Sequence, residues 1–462
     1  MKFSWVLAQL GLVATMASAL DIDPEDKNSI KEAASTVAYG LLRYYSGNET
    51  GDVPGNLPAP YYWWVCGGML GHLVDYWHYT GDDTYNDLVK QALMHQVGED
   101  KDYMPANQTR QLGNDDQGYW AMTAMTAAER IFPDPPKDHP QWLALVQAVF
   151  NEFVGRWDTQ HCDGGLRWQI FNFNSGWQYK NSVSNGCFFN LAARLARYTG
   201  NDTYADWASK VWDWEVKTKL ISEEEWAVKD GVTIQDDNSP CYNDLDSNEW
   251  SYNSGTFLLG AAALYDFTSD EKWKKRATGL LDHGLSKFVQ KQVVYEQYCE
   301  AAEVCDDDQR TFKGYFLRSL STAAQIIPEF KDKIQPVMKA SAKAAAVSCS
   351  GENSPPEPNH PPFNGQPGTS CGFRWVPQGN DGTSGVPQQM NALAALIYAL
   401  DAKKPVSKDT GGTSKGDPNA GISDKEKTKT FDPITIGDRV GAGFLTTLAL
   451  AGVVGGCSFL II

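Results

Sequence analysis

The chain has no Cys-x-x-Cys pair and only seven histidines, scattered singly. Zinc sites need clustered ligands at fixed spacing, so no metal is expected. Nor does any motif ask for a cofactor. Positive charge is scarce: 40 Lys and Arg stand against 57 Asp and Glu, a net charge of −17. Phosphates would be repelled, which excludes nucleic acid as a partner. Strand signals are weak throughout, and that turns the reading toward helices. What is plentiful is aromatic surface, with 16 Trp and 20 Tyr.

Both ends carry removable segments. Lys2 gives a positive start, Val6 to Val13 an apolar stretch, and Ala17-Ser18-Ala19 a small-residue cleavage site. Residues 1–19 therefore read as a secretory signal peptide. At the other end, Val440 to Ile462 is apolar and follows the polar stretch Ser423 to Thr430. The small run Asn419-Ala420-Gly421 lies just before. That order predicts a GPI-attachment signal over 422–462, with Asn419 or Gly421 as the anchor residue. Nothing basic follows Ile462, which argues against an ordinary transmembrane anchor. Residues 403–421 are expected to form a flexible tether. This leaves 20–402 as one folded domain on the outer face of the plasma membrane or in the cell wall.

The secreted setting governs the cysteines. Eight remain once Cys457 is discounted, and an even number in an oxidising compartment predicts disulfides. Cys299–Cys305 and Cys349–Cys371 are the local pairs; Cys66, Cys162, Cys187 and Cys241 are left unassigned. Asn48, Asn107 and Asn201 each begin an Asn-x-Thr sequon, so glycans are expected there.

The chain repeats itself. Tyr79-Thr80-Gly81-Asp82-Asp83-Thr84-Tyr85 recurs as Tyr198-Thr199-Gly200-Asn201-Asp202-Thr203-Tyr204. A looser copy is Phe267-Thr268-Ser269-Asp270-Glu271-Lys272-Trp273. In each, one helix stops near Gly or Ser and a polar residue caps the next. Reading outward gives apolar, Gly/Ala/Ser-rich helices near 64–80, 115–132, 185–199, 250–268, 311–327 and 386–400. Amphipathic helices alternate with them near 27–45, 83–97, 140–157, 203–218, 270–290 and 331–348. A helix apolar all round is buried, and one with a polar face lies outside. Six inner and six outer helices make an all-α (α/α)6 barrel. The alternative is an open α-solenoid, whose repeats would be more uniform in length.

The connections are unequal. Inner-to-outer turns are short, whereas outer-to-inner loops are long and rich in Trp, Tyr, Asn and Asp. Such loops are expected to converge on one rim and to carry function. Asp115 and Asp116 stand there, at the entrance of the second inner helix. A carboxylic acid beside a carboxylate is the minimum for cleaving a glycosidic bond. An N-cap with a first-turn acid would explain an isolated pair equally well; the surroundings decide. Neighbouring acids resist joint ionisation, so one should keep its proton and serve as the acid. The same rim offers Trp63, Trp64, Asn114, Gln117, Asn181, Asn185, Trp250, Tyr252, Asn253, Asp307, Asp308, Gln309, Lys313 and Trp375 for binding. Aromatic faces pack against the C–H side of a sugar, and amides and carboxylates take its hydroxyls. Lys313 is expected to neutralise a carboxylate of Asp306-Asp307-Asp308. That triplet lacks the ligand spacing of a calcium loop. Few rim cations are present to neutralise a uronate, so a neutral sugar is the better fit. The alternative to an enzyme is a cell-surface lectin or adhesin, which would need no adjacent acids.

Trp64 to Tyr85, Asn114 to Trp120, Gly164-Gly165-Leu166-Arg167-Trp168-Gln169, Tyr179-Lys180-Asn181 to Gly200, Trp250 to Gly255 and Asp308-Gln309 to Gly314 follow in order. Together they resemble glycoside hydrolase family 76, the endo-α-1,6-mannanases, and most closely its fungal GPI-anchored branch. The resemblance covers about Ile30 to Leu400. It implies an (α/α)6 barrel, Asp115 as nucleophile and Asp116 as acid/base. It also implies a retaining glycosidase or transglycosidase acting on α-1,6-mannoside or the GPI glycan core, with wall glucan or mannan as acceptor.

Overall fold

The structure, a computed structural model, describes residues 20–235, 240–352, 360–422 and Thr446. The expected signal peptide, and all of the expected attachment signal except Ile422 and Thr446, lie outside the described residues.

Twelve α-helices dominate the described residues, with α1 Lys27–Leu42, α2 Trp63–Thr80, α3 Asn86–His95, α4 Asn114–Glu129, α5 Trp142–Gly155 and α6 Ser182–Thr199 in the first half. The second half adds α7 Asp202–Lys217, α8 Ser251–Thr268, α9 Glu271–Phe288, α10 Phe312–Ile326, α11 Lys331–Ser348 and α12 Val386–Tyr398. The even-numbered helices form the inner ring. Each packs on the next, and α12 packs back on α2, which closes the barrel and rules out the solenoid. The repeat hinges behave as the sequence implies. Gly81, Gly200 and Ser269 end α2, α6 and α8 in the left-handed region, with φ of 83°, 74° and 54°. Asn201 and Asp270 then cap α7 and α9. Tyr204 and Trp273 bury themselves one turn later.

Inner helices approach closely because their facing residues are small. Any Cβ on Gly67 would meet the Trp120 indole at 2.7 Å, so the α2–α4 contact needs glycine. The outer helices α7 and α9 bury one stripe and leave their charges in solvent.

The helical reading holds, with short strands beside the helices, and two expectations, on the cysteines and on Lys313, need correction. Strands do occur: β1 Tyr179–Asn181, β2 Lys229–Thr233 and β3 Leu245–Glu249 form an antiparallel sheet above the inner helices. Among the described residues Cys66 and Cys187 are not bridged; both are free and buried inside inner helices. The bridges are Cys162–Cys241, Cys299–Cys305 and Cys349–Cys371, all in long rim loops. Lys313 meets no residue of the Asp306–Asp308 triplet. It is buried against Glu300 at 3.2 Å and over the rings of Phe373 and Trp375. Finally, residues 403–421, the expected tether, make hydrogen bonds to the barrel. The Val406 amide donates to Glu129 O at 3.0 Å, and Leu143 N to Ser414 Oγ at 3.0 Å. Asn151 Nδ2 then holds Ala420 O at 2.7 Å, so the segment crosses the barrel floor and climbs α5.

The floor is built from paired charges. Asp75 accepts from Arg318 Nε at 2.7 Å, from Tyr398 Oη at 2.8 Å and from Arg130 Nε at 3.3 Å. Glu129 holds Arg194 at 2.6 Å and Arg197 at 3.6 Å.

Candidate active site

The rim loops enclose a cleft of about 470 Å³ over the N-termini of the inner helices. Asp115 and Asp116 both line it. They occupy the first turn of α4, where the backbone amides have no intrahelical partner. Asp116 Oδ2 accepts the Gly113 amide at 2.6 Å, the return bond of a capping arrangement. Asp115 Oδ1 accepts the Asp116 amide at 3.1 Å. Each carboxylate thus gives one oxygen to the helix entrance. This local anchoring lets two sequence neighbours share one cleft.

The walls come from six more places. Tyr62 and Trp64 flank the start of α2, and Tyr62 stands two-thirds exposed at the lip. Trp168 and Gln169 come from the long loop after α5. Tyr179 and Asn181 come from β1, Asp230 from β2, Tyr252 from α8, and Asp308 and Phe312 from the approach to α10. Tyr252 and Phe312 stack with centroids 3.8 Å apart and form one flat wall. The loop carrying Trp168 is laced to both sides: Asn114 N donates to Trp168 O at 2.8 Å, and Trp168 N to Tyr179 O at 2.7 Å.

Four carboxylates face this space, and among the described residues no Lys or Arg lines it. Burial is the first cause in every case, and it favours the neutral acid. Asp115 is pushed well above the usual carboxylate range by burial and then by the Asp116 charge. Asp116 is pushed up to about 6 by burial, held back by the Gly113 amide. Asp308 is pushed up to about 7 by burial and by Asp306 and Asp116; its bond from Trp64 Nε1 opposes this. Asp230 is raised by burial, against a 2.6 Å bond from Tyr179 Oη. The adjacent pair therefore holds a proton that an exposed aspartate would have lost.

Of the residues singled out from sequence, the cleft gathers Asp115, Asp116, Trp64, Asn181, Tyr252 and Asp308. The others serve the scaffold. Trp63 turns away, stacks on Trp120 at 4.7 Å and donates to Gln96 at 2.9 Å. Asn114 and Gln117 both accept from Arg156, and their amides tie Arg167 O and Asp102 O. Asn185 clamps the Leu166 backbone, with Leu166 N at 2.7 Å. Trp250 packs edge-on against Phe312 and Tyr298. Asn253 is fully buried outside the lining. Asp307 pairs with His360 at 2.9 Å, and Gln309 exchanges bonds with Asp306. Lys313 and Trp375 are buried together beneath the rim. Sequence reasoning did not name Tyr62, Gln111, Tyr119, Val183, Phe312 or Asp230 as site residues. Tyr119, Val183 and Phe312, like Trp168, Gln169 and Tyr179, lay inside the quoted motifs, and only that placement could have signalled them.

The geometry can be set beside known proteins. Residues 29–409 match the model described as Glycosyl hydrolase family 76. A mannan endo-1,6-alpha-mannosidase of Eremothecium gossypii is 46% identical over 448 residues, 96% of this chain and 95% of that one. One from Saccharomyces cerevisiae is 44% identical over 448 residues, covering 96% of each. The crystal structure of Dfg5 from Chaetomium thermophilum in complex with glucosamine superposes with a TM-score of 0.80 at 44% identity, over 87% of this chain and 97% of that one. With a matching model over most of its length and close relatives end to end, the chain belongs to glycosyl hydrolase family 76.

Proposed function

We propose that this chain is a retaining α-1,6-mannosidase or mannosyl transglycosidase, with Asp115 as nucleophile and Asp116 as acid/base. The observation that carries the reading is the adjacent carboxylate pair, both members on one aromatic-walled cleft that has no cation among its described lining residues. The relatives named as mannan endo-1,6-alpha-mannosidases supply the substrate class. A retaining reaction needs the attacking carboxylate ionised and its partner protonated. Burial raises both acids and the Asp116 charge raises Asp115 further, so the pair keeps one proton between its members. As positive charge develops on the bound mannose, it favours ionised Asp115. The proton then belongs on Asp116, which delivers it to the leaving oxygen. A covalent mannosyl–Asp115 forms, and water or a sugar hydroxyl of a wall polysaccharide takes the mannosyl group.

The donor on this reading is mannan or the GPI glycan core, and the acceptor is cell-wall glucan or mannan. The enzyme works at the outer face of the plasma membrane, held by a GPI anchor. Asn48, Asn107 and Asn201 are exposed and accessible to glycosylation. A non-catalytic lectin fits less well, since two neighbouring acids with raised proton affinity serve no purpose in holding a neutral sugar.

Asp115→Asn and Asp116→Asn should each cut turnover of an α-1,6-mannoside by about 10²–10⁴-fold or more, with the melting curve unmoved. Wild-type turnover in either variant would remove that residue from its role. Product of inverted configuration would refute the covalent route.

A further inference from the structure

We propose that Lys180 is a positioning residue whose ammonium group sets the shape of three walls of the cleft. Lys180 lies on β1 between Tyr179 and Asn181, which both line the cleft. Strand alternation sends its own side chain to the opposite face, where it is fully buried. There the ammonium donates to Gly164 O at 2.5 Å, His161 O at 2.8 Å and Asp158 O at 3.2 Å, and lies 3.3 Å from Asp158 Oδ2. Three carbonyls and one carboxylate around a cation are what a metal-binding loop would offer; here the chain supplies its own cation.

The loop folded around it is strained. Cys162, Asp163, Gly164 and Gly165 all have positive φ, at 54°, 53°, 141° and 87°. Non-glycine residues hold such conformations only where the surroundings impose them. Two restraints do so: the ammonium within, and the Cys162–Cys241 bridge outside. From this loop the chain runs straight to Arg167, Trp168 and Gln169. Asp158 also holds Arg167 Nη2 at 2.9 Å. Arg167 O accepts Asn114 Nδ2 at 2.9 Å, and Trp168 O accepts Asn114 N at 2.8 Å. Asn114 directly precedes Asp115. One buried cation is therefore linked to β1, to the Trp168 loop and to the entrance of α4.

The charged groups facing the ammonium are Asp158 and Arg167, with Asp163 farther off and itself paired with Lys217 of α7 at 2.9 Å. Burial pushes Lys180 down to about 8, so it remains a cation at neutral pH. Its effect reaches the binding walls directly and the carboxylates only through Asn114.

The test compares Lys180→Met and Asp158→Asn with the wild type. The kinetic arm rests on the mannosidase reading; the exchange arm does not. On an α-1,6-mannoside, Lys180→Met should raise KM at least tenfold while kcat, per folded molecule, falls less. Asp158→Asn should show the same KM-led pattern more weakly. Hydrogen exchange should quicken together in segments 158–170, 179–183 and 112–117 in both variants. Wild-type KM in the folded variants, or faster exchange confined to 158–165, would overturn the proposal. If Lys180→Met does not fold, Asp158→Asn decides alone by the same two measures. A wild-type enzyme inert toward the mannoside would refute the proposed activity, and the exchange pattern would still judge Lys180.

Discussion

At the floor of the barrel Asp75 is buried between two arginines, with Tyr398 as a third donor. At the rim Asp115 and Asp308 are half-buried, with no cation among the described lining residues. The two ends spend the same side chain differently. Arg318 and Arg130 hold Asp75 well below the usual carboxylate range against its burial. Burial, unanswered, lifts Asp115 and Asp308 above it. Paired acids build the scaffold, and unpaired ones stay available for proton transfer. The bracing differs as well. Among the described residues every disulfide lies in the rim loops, while ion pairs and the 403–422 segment hold the floor together.

The largest expected effect comes from unpairing the floor. Asp75→Asn keeps the volume but leaves Arg130 and Arg318 buried without their counter-charge. A loss of about 3–5 kcal/mol is expected, read as a lowered urea midpoint, with kcat of the folded fraction unchanged. If stability holds, the floor is not what the comparison says it is. The next effect tests the rim's bracing. The Cys162–Cys241 bridge joins positions 79 residues apart. Cys162→Ser with Cys241→Ser should cost about 2–4 kcal/mol, and KM should rise because the freed loop carries Trp168.

The two ends also differ in how much of them the sequence disclosed. The barrel was readable because inner and outer helices differ in composition and because Gly81, Gly200 and Ser269 stop helices by the same backbone device. The carboxylate pair was readable because both members anchor to the first turn of α4. The remainder of the site was blurred by helix geometry. Successive residues of a helix point about 100° apart, so sequence neighbours need not face the cleft together. Trp64 enters the cleft and Trp63 packs on Trp120; in the turn before α10, Asp308 likewise enters and Asp307 pairs with His360. Asp230 gave no signal at all. Its strand, Lys229-Asp230-Gly231-Val232-Thr233, has two adjacent buried residues in place of alternation. It faces the cleft only because β1 and β3 flank it.

The comparison also predicts opposite pH slopes. Asp308 has a folded-state pKa near 7, above its unfolded value of about 4. The folded protein binds this proton more tightly, so Asp308 makes stability fall as pH rises from about 4 to 7. Asp75 does the reverse: its contribution is full above about pH 4 and is lost as pH falls below it. Asp308→Asn removes the rim slope and keeps an acceptor for Trp64 Nε1. It should stabilise the protein by on the order of 1–3 kcal/mol at pH 8 and by nothing near pH 4. Equal effects at both pH values would show that Asp308 is not a strained acid.

The smallest effect asks whether the floor extends to the segment that composition marked as a tether. Leu143 sits in the first turn of α5, where its amide has no partner within the helix. Ser414 Oγ accepts that amide from across the surface and is itself buried. A free tether could not do this, because a mobile hydroxyl spends little time on one donor. Ser414→Ala leaves the Leu143 amide unpaired and sheltered from water, at about 1 kcal/mol. Thermal melting of the full chain would resolve that loss. An unchanged melting point would return 403–422 to the role of linker and confine the floor to its arginine pairs.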